Sequence, residues 1–304
     1  MKEKELAFQE WAKCALPELL IKTQEPMKNH TTFRIGGPAD LYVCPDRDQL
    51  PQVIKKAREL EIPVTLIGNG SNLLVADEGI RGMVIELGKA MEAIMVEGEY
   101  IRCEAGALLA KIANKAADAG LGGMEFAAGI PGSLGGAVVM NAGAYGGEMK
   151  DILVSATVLT PEGEVKELTQ EELDLSYRHS CITENGYIVI GALLQLAYKD
   201  PAEIRAIMTD LKNRRVEKQP LEYPSAGSTF KRPVGYFAGK LIQDAGLRGY
   251  RVGGAQVSEK HCGFVINKGD ATAADVLQLI RDVQDKVWET AGVEMEPEVR
   301  MLGF

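Results

Sequence analysis

Apolar residues in the first third of the chain follow a helical spacing and then form a short continuous run. The segment 46–60 has apolar side chains three or four positions apart, at Leu50, Val53, Ile54 and Ala57, and this spacing predicts an amphipathic helix. The run IPVTLIG follows directly and ends in glycine, which predicts a buried strand. A helix that leads into a buried strand indicates a mixed α and β architecture.

Further elements are predicted from short apolar runs and from turn residues. Strands are expected at 83–87, 93–96 and 100–104, a hairpin at 152–168 and a long strand at 187–198. A helix is expected from Leu108 to Ala119, because Gly120 stands where glycine commonly ends a helix.

Residues near position 200 indicate the start of a new domain. Asp200-Pro201 supplies a helix cap and a first-turn proline, a combination that favours a helix start. The helix predicted from there ends before Pro220. We therefore place a domain boundary at Asp200.

The last hundred residues end in a strongly patterned helix and an alternating segment. A helix is predicted over 273–291, with Thr272 as its cap and Gly292 as its stop. The segment 293–302 alternates like a strand, and Pro297 favours an edge position in a sheet.

The composition narrows the class of protein. Of the 304 residues, 46% are hydrophobic and 25% are charged, as in an ordinary globular protein. No stretch approaches the roughly 18 to 20 apolar residues that span a bilayer, and the N-terminus MKEKELAFQEW lacks the apolar run of a signal peptide. We therefore expect a cytoplasmic protein without a membrane partner.

Cysteine and histidine usage argues against a metal site or a disulfide framework. The five cysteines are odd in number and lack CxxC spacing, and none of the three histidines is spaced for a metal ion. We expect no metal in the site.

The charge distribution argues against nucleic acid as a partner and singles out one basic region. The formal net charge is −9, whereas general nucleic-acid binding needs a basic surface. The segment from Arg205 to Arg251 contains ten Lys or Arg residues but only four Asp or Glu residues. A solvated helix face around Arg214, Arg215 and Lys218 explains part of this excess. The rest could hold a polyanionic small molecule such as a nucleotide diphosphate.

Two glycine-rich segments are the main candidates for a ligand site. GNGSNLL at 68–74 follows a predicted strand, and its glycines allow backbone N–H groups to converge on an anion. It is neither GxxxxGK[ST] nor GxGxxG, so an ordinary turn also explains it. The segment 129–148 lies in a stretch, 120–147, with ten of the 33 glycines. The two loops could bind a diphosphate from two sides. Alternatively, the glycines form tight turns in a small β domain.

Eight motifs occur in order and carry a specific resemblance. They are TTFRIGGPAD, GNGSNLL, EFAAGIPGSLGGAVVMNAGAYGGE, SYRHS, SAGSTFKRP, GKLIQDAGLRG, GFVIN and EPEVR. Together they resemble the UDP-N-acetylenolpyruvoylglucosamine reductase family, from about Asn29 to Phe304. The resemblance implies an FAD enzyme that uses NADPH to reduce the enolpyruvyl group of a UDP-sugar, giving UDP-N-acetylmuramate for peptidoglycan.

The resemblance also implies a fold and a set of cofactor contacts. The fold is α+β, with a vanillyl-alcohol-oxidase/p-cresol-methylhydroxylase type of FAD-binding fold in two subdomains, 1–92 and 93–199, and a substrate-binding α+β domain, 200–304. Neither glycine loop contains histidine, so noncovalent FAD is expected. The implied FAD contacts are Gly68, Asn69, Gly70, Ser71, Asn72, Gly129, Ile130, Pro131, Gly132, Ser133, Asn141, Gly143 and Ala144.

Three residues match the catalytic set of the family: Arg178 in SYRHS, Ser228 in SAGSTF and Glu298 in EPEVR. From the residues alone, a surface ion pair, a turn serine and an edge-strand glutamate are the better explanations, and only the matched motifs favour catalytic roles. Within the resemblance, Arg178 stabilises the charge of an enolate, Glu298 helps to polarise the same group, and Ser228 gives a proton to the neighbouring carbon.

The interval between Arg178 and Ser228 holds one predicted strand and one predicted helix. The chain therefore resembles the shorter subclass of the family, which lacks a tyrosine-bearing loop there. Lys231 and Arg232 are candidate substrate contacts. Expected partners are the UDP-sugar and NADPH, with no obligate protein partner. The alternatives are another FAD oxidoreductase of the same fold, such as a sugar-lactone or phenol oxidase, and a non-catalytic nucleotide-sugar binding protein.

Overall fold

The computed structural model describes residues 2–304. Its α-helices are α1 Lys2–Ala15, α2 Gln49–Glu59, α3 Leu109–Asp118, α4 Leu134–Val139, α5 Pro201–Lys218, α6 Ala238–Asp244 and α7 Ala273–Ala291. Its strands are β1 Leu20–Pro26, β2 Pro38–Cys44, β3 Val64–Ile67, β4 Leu73–Val75, β5 Ile80–Glu86, β6 Ile94–Glu97, β7 Tyr100–Glu104, β8 Leu121–Gly122, β9 Gly143–Ala144, β10 Gly147–Glu148, β11 Leu153–Leu159, β12 Val165–Thr169, β13 Ile188–Gln195, β14 Ala197–Tyr198, β15 Ser225–Ser228, β16 Arg251–Val252, β17 Ala255–Val257, β18 Phe264–Asn267 and β19 Arg300–Leu302. Short 3-10 helices cover Met27–Asn29, Lys89–Met91, Glu125–Gly129 and Met149–Asp151.

The chain forms two compact units that are discontinuous in sequence. The first consists of 1–22, 41–69 and 82–215, of which residue 1 lies outside the described residues, and the second of 23–40, 70–81 and 216–304. Each unit has its own cluster of buried apolar side chains. The predicted three-part division of the chain stays a prediction.

The first unit is centred on an antiparallel sheet with the strand order β12-β11-β13-β7-β6. The apolar faces of α2, α3 and the sheet share one buried cluster, in which Leu50, Ile112 and Ala156 are fully enclosed. A second sheet has the order β1-β2-β5-β3, with β3 and β5 parallel. This core holds both ends of the glycine-rich segment 120–148 in place.

Helix α5 belongs to the first unit as far as Arg215. The physical reason is local. Ile204 is buried, and the guanidinium of Arg205 donates to the side chains of Asn114 and Asp118 on α3. These contacts tie α5 to α3.

The second unit contains an antiparallel sheet with the order β15-β18-β17-β16, packed with α6 and α7. A parallel pair joins β19 to β4, with Met301 opposite Leu74. Leu74, Val276 and Ile280 lie in the same buried cluster. The segment 70–81 and the C-terminal end of this unit therefore meet in one core.

The caps of α7 confirm the sequence prediction. Thr272 Oγ1 accepts a hydrogen bond of 3.1 Å from the Asp275 backbone N–H, and the Asp275 carboxylate accepts one of 3.0 Å from the Thr272 N–H. Gly292 ends the helix with φ 64°, a conformation that glycine adopts without strain.

Most of the predicted elements are confirmed, with boundaries shifted by a few residues. The segment expected as one strand at 187–198 is split into β13 and β14, and β14 pairs with β8. In 293–302, only Arg300–Leu302 forms a strand, and it pairs in parallel. Within residues 2–304, no helix is long and apolar enough to cross a membrane.

Candidate active site

The two glycine loops of the first unit lie side by side. Asn69 Nδ2 donates a hydrogen bond of 2.6 Å to the Pro131 carbonyl oxygen. A Cβ atom at Gly68 would collide with Ser133 Oγ, so the absence of a side chain at 68 allows the close approach. Ser133 is buried, whereas Gly129 and Pro131 are exposed. The paired loops therefore present accessible backbone on one side and are anchored on the other.

Backbone hydrogen bonds fix the second loop to the core of the first unit. The Gly132 carbonyl accepts a hydrogen bond of 3.1 Å from the Leu109 N–H, and the Gly135 N–H donates one of 2.8 Å to the Ala105 carbonyl. A Cβ atom at Gly135 would lie 3.0 Å from the Ala105 Cβ. Glycine is needed there because two backbone segments approach closely.

Asn141 uses its side chain inside the protein. The side chain is fully buried, and its Nδ2 donates to Glu148 Oε2 at 2.7 Å and to the Ser176 carbonyl at 3.0 Å. Its Oδ1 accepts a hydrogen bond of 2.9 Å from the Lys150 N–H. The Asn141 carboxamide is therefore occupied by protein groups. Gly143 and Ala144 follow in the β9–β10 hairpin.

Arg178 lies on a tight turn that Asn141 supports. Ser176 and His179 exchange two backbone hydrogen bonds, and Arg178 between them has φ 56°. The guanidinium stacks over the Tyr177 ring at 4.9 Å and is half-buried. The bond from Asn141 to the Ser176 carbonyl holds the start of this turn, so the glycine-rich segment and the Arg178 turn are structurally coupled.

In the second unit, the first glycine loop is held by the backbone around His30 and by Glu298. Gly70 has φ 62°, and a Cβ atom there would overlap with the His30 carbonyl oxygen. Asn72 Nδ2 donates a hydrogen bond of 3.0 Å to the Glu298 carbonyl. Ser71 lies between Gly70 and Asn72 and is half-buried. Gly70 thus has a structural reason to be glycine.

Ser228 and Glu298 are brought together on adjacent backbone segments. The Glu298 N–H donates a hydrogen bond of 2.8 Å to the carbonyl of Thr229, the residue after Ser228. Thr229 is buried, and its Oγ1 accepts a hydrogen bond of 3.0 Å from the Val265 N–H. Ser228 is exposed and Glu298 is half-buried. The structure therefore places the backbone segments of Ser228 and Glu298 next to each other in the second unit, and Arg178 belongs to the first unit.

Both candidate substrate contacts already have protein partners. Lys231 Nζ forms an ion pair of 2.5 Å with Glu296 Oε1. The Arg232 guanidinium stacks on Phe237 at 4.0 Å, and its Nε donates to the Tyr236 carbonyl at 3.0 Å. The two cations lie in the loop that follows β15 and are oriented by contacts within the second unit.

The basic helix face considered in the sequence is not uniform. Arg214 and Lys218 are exposed, and Arg214 pairs with Asp210 at 2.8 Å. Arg215 is half-buried and packs against Gly129 of the second glycine loop. Sequence reasoning placed Arg215 in the basic region without separating it from its neighbours, because only the tertiary contact distinguishes it. In the part of the chain from residue 2 onward, no group of His, Cys, Asp and Glu is arranged to hold a metal ion.

Comparisons with known proteins agree with this geometry. A family model described as "FAD binding domain" matches residues 38–169, which include both glycine loops. The fold and the loops therefore define an enzyme of the FAD-binding class. A second model, "UDP-N-acetylenolpyruvoylglucosamine reductase, C-terminal domain", matches residues 219–302, which contain Ser228 and Glu298.

Similar proteins over the full length define the family. The chain is 61% identical to the UDP-N-acetylenolpyruvoylglucosamine reductase of Agathobacter rectalis over 95% of this chain and 96% of that protein. It is 54% identical to that of Alkaliphilus oremlandii, over 95% of each. The crystal structure of the reductase from Thermus caldophilus is 37% identical, with a TM-score of 0.80 over 94% of this chain and 99% of that one. The chain belongs to the UDP-N-acetylenolpyruvoylglucosamine reductase family. The fold class and family expected from the motifs are confirmed.

Proposed function

We propose that this chain catalyses the NADPH-dependent, FAD-mediated reduction of UDP-N-acetylglucosamine enolpyruvate to UDP-N-acetylmuramate. The observation that carries the proposal is the pairing of the Ser228 and Glu298 segments through the 2.8 Å bond from Glu298 N–H to the Thr229 carbonyl. It joins the backbone segments that carry the Ser228 hydroxyl and the Glu298 carboxyl, in a chain whose family relatives are reductases.

The paired glycine loops fit a flavin nucleotide. Gly68, Asn69, Gly129, Ile130, Pro131, Gly132 and Ser133, together with the backbone of Asn141, Gly143 and Ala144 and with Gly70, Ser71 and Asn72, would hold FAD. A side chain at Gly68 would collide with Ser133, so glycine there lets the two loops approach each other closely. When bound, FAD accepts hydride from NADPH and delivers it to the terminal carbon of the enolpyruvyl double bond.

Arg178 and Glu298 are assigned to the substrate carboxylate. Negative charge accumulates there as an enolate when the double bond is reduced, and a fixed guanidinium stabilises such charge. The Tyr177 ring and the Ser176–His179 turn restrict where the Arg178 guanidinium can go. Glu298, fixed through its backbone by Asn72 and Thr229, would help to polarise the same group.

Ser228 is assigned as the proton donor to the neighbouring carbon. Its hydroxyl oxygen would give up the proton that forms the new C–H bond, and the electron pair of the enolate would accept it. A serine hydroxyl is a weak acid, so its proton must be replaced. Because Ser228 is exposed, solvent can supply that proton directly, while Lys231 is engaged by Glu296.

The family relatives support this reaction over the oxidase alternative. The experiment below distinguishes this reaction from the other alternative, a non-catalytic nucleotide-sugar binding protein. The proposed partners are small molecules, the UDP-sugar and NADPH. Because both are cytoplasmic metabolites, we place the reaction in the cytoplasm.

The test is an anaerobic mixing experiment on the purified protein. NADPH should bleach the absorbance of the bound flavin, and enolpyruvyl UDP-N-acetylglucosamine should restore it with formation of UDP-N-acetylmuramate. A protein that binds the UDP-sugar but leaves reduced flavin unchanged would contradict the proposed function.

A further inference from the structure

The residue after Arg178 is a histidine that lies between two carboxylates. His179 Nε2 is 3.6 Å from Asp174 Oδ2, and His179 Nδ1 is 3.8 Å from Glu184 Oε1. The histidine is half-buried, whereas both acids are exposed. Each nitrogen of the His179 ring therefore has an acidic partner at the protein surface.

The two acids lie on opposite sides of the Arg178 turn along the chain. Asp174 precedes the turn and Glu184 follows it, and both belong to the connection 170–187 between β12 and β13. Asp174 has φ 47° and Arg178 has φ 56°, a backbone conformation that is uncommon for residues other than glycine. The His179 ring therefore links the two arms of the connection that holds Arg178.

Only the protonated His179 ring can serve both acids. An imidazolium donates from both nitrogens and carries a positive charge, whereas a neutral imidazole donates from one nitrogen only. Histidine is the side chain that changes its charge between about pH 5 and pH 8. The two ion pairs are therefore complete at the acidic end of this range and are lost as the pH rises and the ring becomes neutral.

The Arg178 turn has other charged or titratable groups around it, on its own connection and on the β9–β10 hairpin segment that Asn141 links to it. These groups are Glu148, Lys150, Glu171, Glu172, Arg178 and Cys181. Glu148 pairs with Lys150 at 3.3 Å, and Glu172 pairs with Lys166 at 3.7 Å. Asp174 and Glu184 are the acids that face the two ring nitrogens of His179.

We propose that His179 is a positioning residue for Arg178, and that its protonation fixes the Arg178 turn through Asp174 and Glu184. The inference rests on the proposed function, in which Arg178 stabilises the charge on the substrate carboxylate. A guanidinium on a fixed turn spends more time in its working position, so reoxidation of reduced flavin by the enolpyruvyl substrate gains from the protonated ring. Reduction of the flavin by NADPH does not use this role of Arg178.

The experiment measures both half-reactions by stopped flow at about pH 6 and about pH 8, on either side of the range in which histidine titrates. His179→Gln removes the titrating ring, and His179→Arg keeps a positive charge at both pH values. Asp174→Asn combined with Glu184→Gln removes the acids and leaves the ring, and asparagine is chosen at 174 because it tolerates a positive φ. Lys166→Gln is the control, because it breaks an exposed ion pair of similar length whose cation does not titrate in this range.

At the lower pH, His179→Gln and the Asp174→Asn/Glu184→Gln protein should each be reoxidised roughly three- to fivefold more slowly than wild type, as expected for exposed ion pairs. At the higher pH, both should match wild type. Removing the ring and the acids together should cost no more than removing either. His179→Arg should stay fast at both pH values, and Lys166→Gln should follow wild type. Added salt should reduce the difference at the lower pH, because exposed charges are screened.

Hydrogen exchange of the backbone N–H groups in 170–187 gives a second readout that does not depend on catalysis. At the lower pH, these groups should exchange more slowly in wild type than in His179→Gln or in the Asp174→Asn/Glu184→Gln protein. At the higher pH, the three proteins should exchange at similar rates.

Two results would overturn the inference. One is a ratio of wild-type to His179→Gln reoxidation rates that does not change with pH. The other is a pH-dependent effect of His179→Gln that persists after Asp174 and Glu184 have been replaced. If the substrate reoxidises the wild-type flavin at neither pH, the proposed function fails instead, and hydrogen exchange still decides whether the ion pairs fix the turn.

Discussion

Asn141 Nδ2 donates a hydrogen bond of 3.0 Å to the carbonyl oxygen of Ser176, two residues before Arg178. The carboxamide also binds Glu148 and the Lys150 N–H, so protein groups occupy its donor and acceptor atoms. We therefore predict that Asn141 positions the Arg178 turn.

Asn141→Gly should slow the reoxidation of reduced flavin by the enolpyruvyl substrate by ~10-fold or more, because the Arg178 guanidinium loses its fixed position. Glycine is chosen since Asn141 has φ 42°, which alanine would adopt only with strain. Reduction by NADPH and the affinity for FAD should change much less. Rapid mixing resolves the two half-reactions.

Asn185→Gly is the control for Asn141→Gly. Asn185 also donates a side-chain hydrogen bond to a backbone carbonyl, that of Cys181, but it is exposed. If Asn141→Gly mainly lost FAD while flavin-loaded molecules reoxidised normally, Asn141 would be a cofactor contact and not a positioning residue.

Gly68 and Ser133 form a pair whose coupling tests the contact between the loops. A Cβ atom at 68 collides with Ser133 Oγ but lies 3.7 Å from Ser133 Cβ. Gly68→Ala should therefore weaken FAD binding, and Gly68→Ala with Ser133→Ala should bind FAD nearly as well as Ser133→Ala alone. Fluorescence titration of the four proteins forms a double-mutant cycle. Additive effects would mean that the loops do not constrain each other.

A substitution at Gly70 would test flavin binding less specifically than the GNGSN motif suggests. Its positive φ and its approach to the His30 carbonyl mean that Gly70→Val would disturb the fold of the second unit as well as any ligand contact. The comparison with Gly68 shows why a glycine motif alone does not reveal which glycine faces a ligand.

Lys231 and Arg232 are predicted to contribute charge for the UDP diphosphate. Lys231→Met and Arg232→Met should each weaken UDP-sugar binding by roughly tenfold at low salt, and the difference from wild type should shrink as ionic strength rises. Reduction of the flavin by NADPH should be much less affected. Calorimetric titration at two salt concentrations measures the effect.

Lys240→Met is the control for charge in the second unit, because Lys240 is exposed and pairs with Asp244 on the same helix. If Lys231→Met and Lys240→Met bind the UDP-sugar equally well, Lys231 serves only its ion pair with Glu296 and does not contact the diphosphate.

Thr272→Ala should lower the free energy of unfolding by about 1 kcal/mol, as expected for loss of an N-cap. The affected bond is the one from the Asp275 N–H to Thr272 Oγ1. Denaturant unfolding at saturating FAD measures the change. Thr290→Ala, in the last turn of the same helix, loses the bonds from Thr290 Oγ1 to the Lys286 and Val287 carbonyls and should cost less. An equal cost would show that the cap is unimportant.

The elements that the sequence predicts well have strong local signals. Helix α7 has its cap at Thr272, its stop at Gly292 and a regular apolar stripe between them. Strand β4 has only three residues, too few to show a period, and forms because Leu74 pairs with Met301 at the other end of the chain. Such pairing depends on tertiary structure and leaves no local trace.

The candidate site shows the same division. The motifs pointed to Ser228 and Glu298, and the structure adds the backbone bond that joins their segments. The motifs also pointed to Asn141 as a flavin contact. The structure adds its burial and its three internal bonds, to the Glu148 side chain and to the backbone of Lys150 and Ser176, which no local pattern shows. Arg215 could not be separated from Arg214 in the sequence, since both are cations on one helix and only Gly129 distinguishes them.

The most direct test of the account is stopped-flow measurement of both half-reactions in Ser228 variants. Ser225, on the same strand as Ser228, gives the matched control Ser225→Ala. Ser228→Ala should be reduced by NADPH at a near-normal rate but be reoxidised by the enolpyruvyl substrate ~10² to 10⁴ times more slowly, the usual range for loss of a general acid. Ser228→Cys should retain more activity than Ser228→Ala, and Ser225→Ala should behave like wild type. Wild-type reoxidation in Ser228→Ala, or a defect only in the NADPH half-reaction, would contradict the assignment of Ser228 as proton donor.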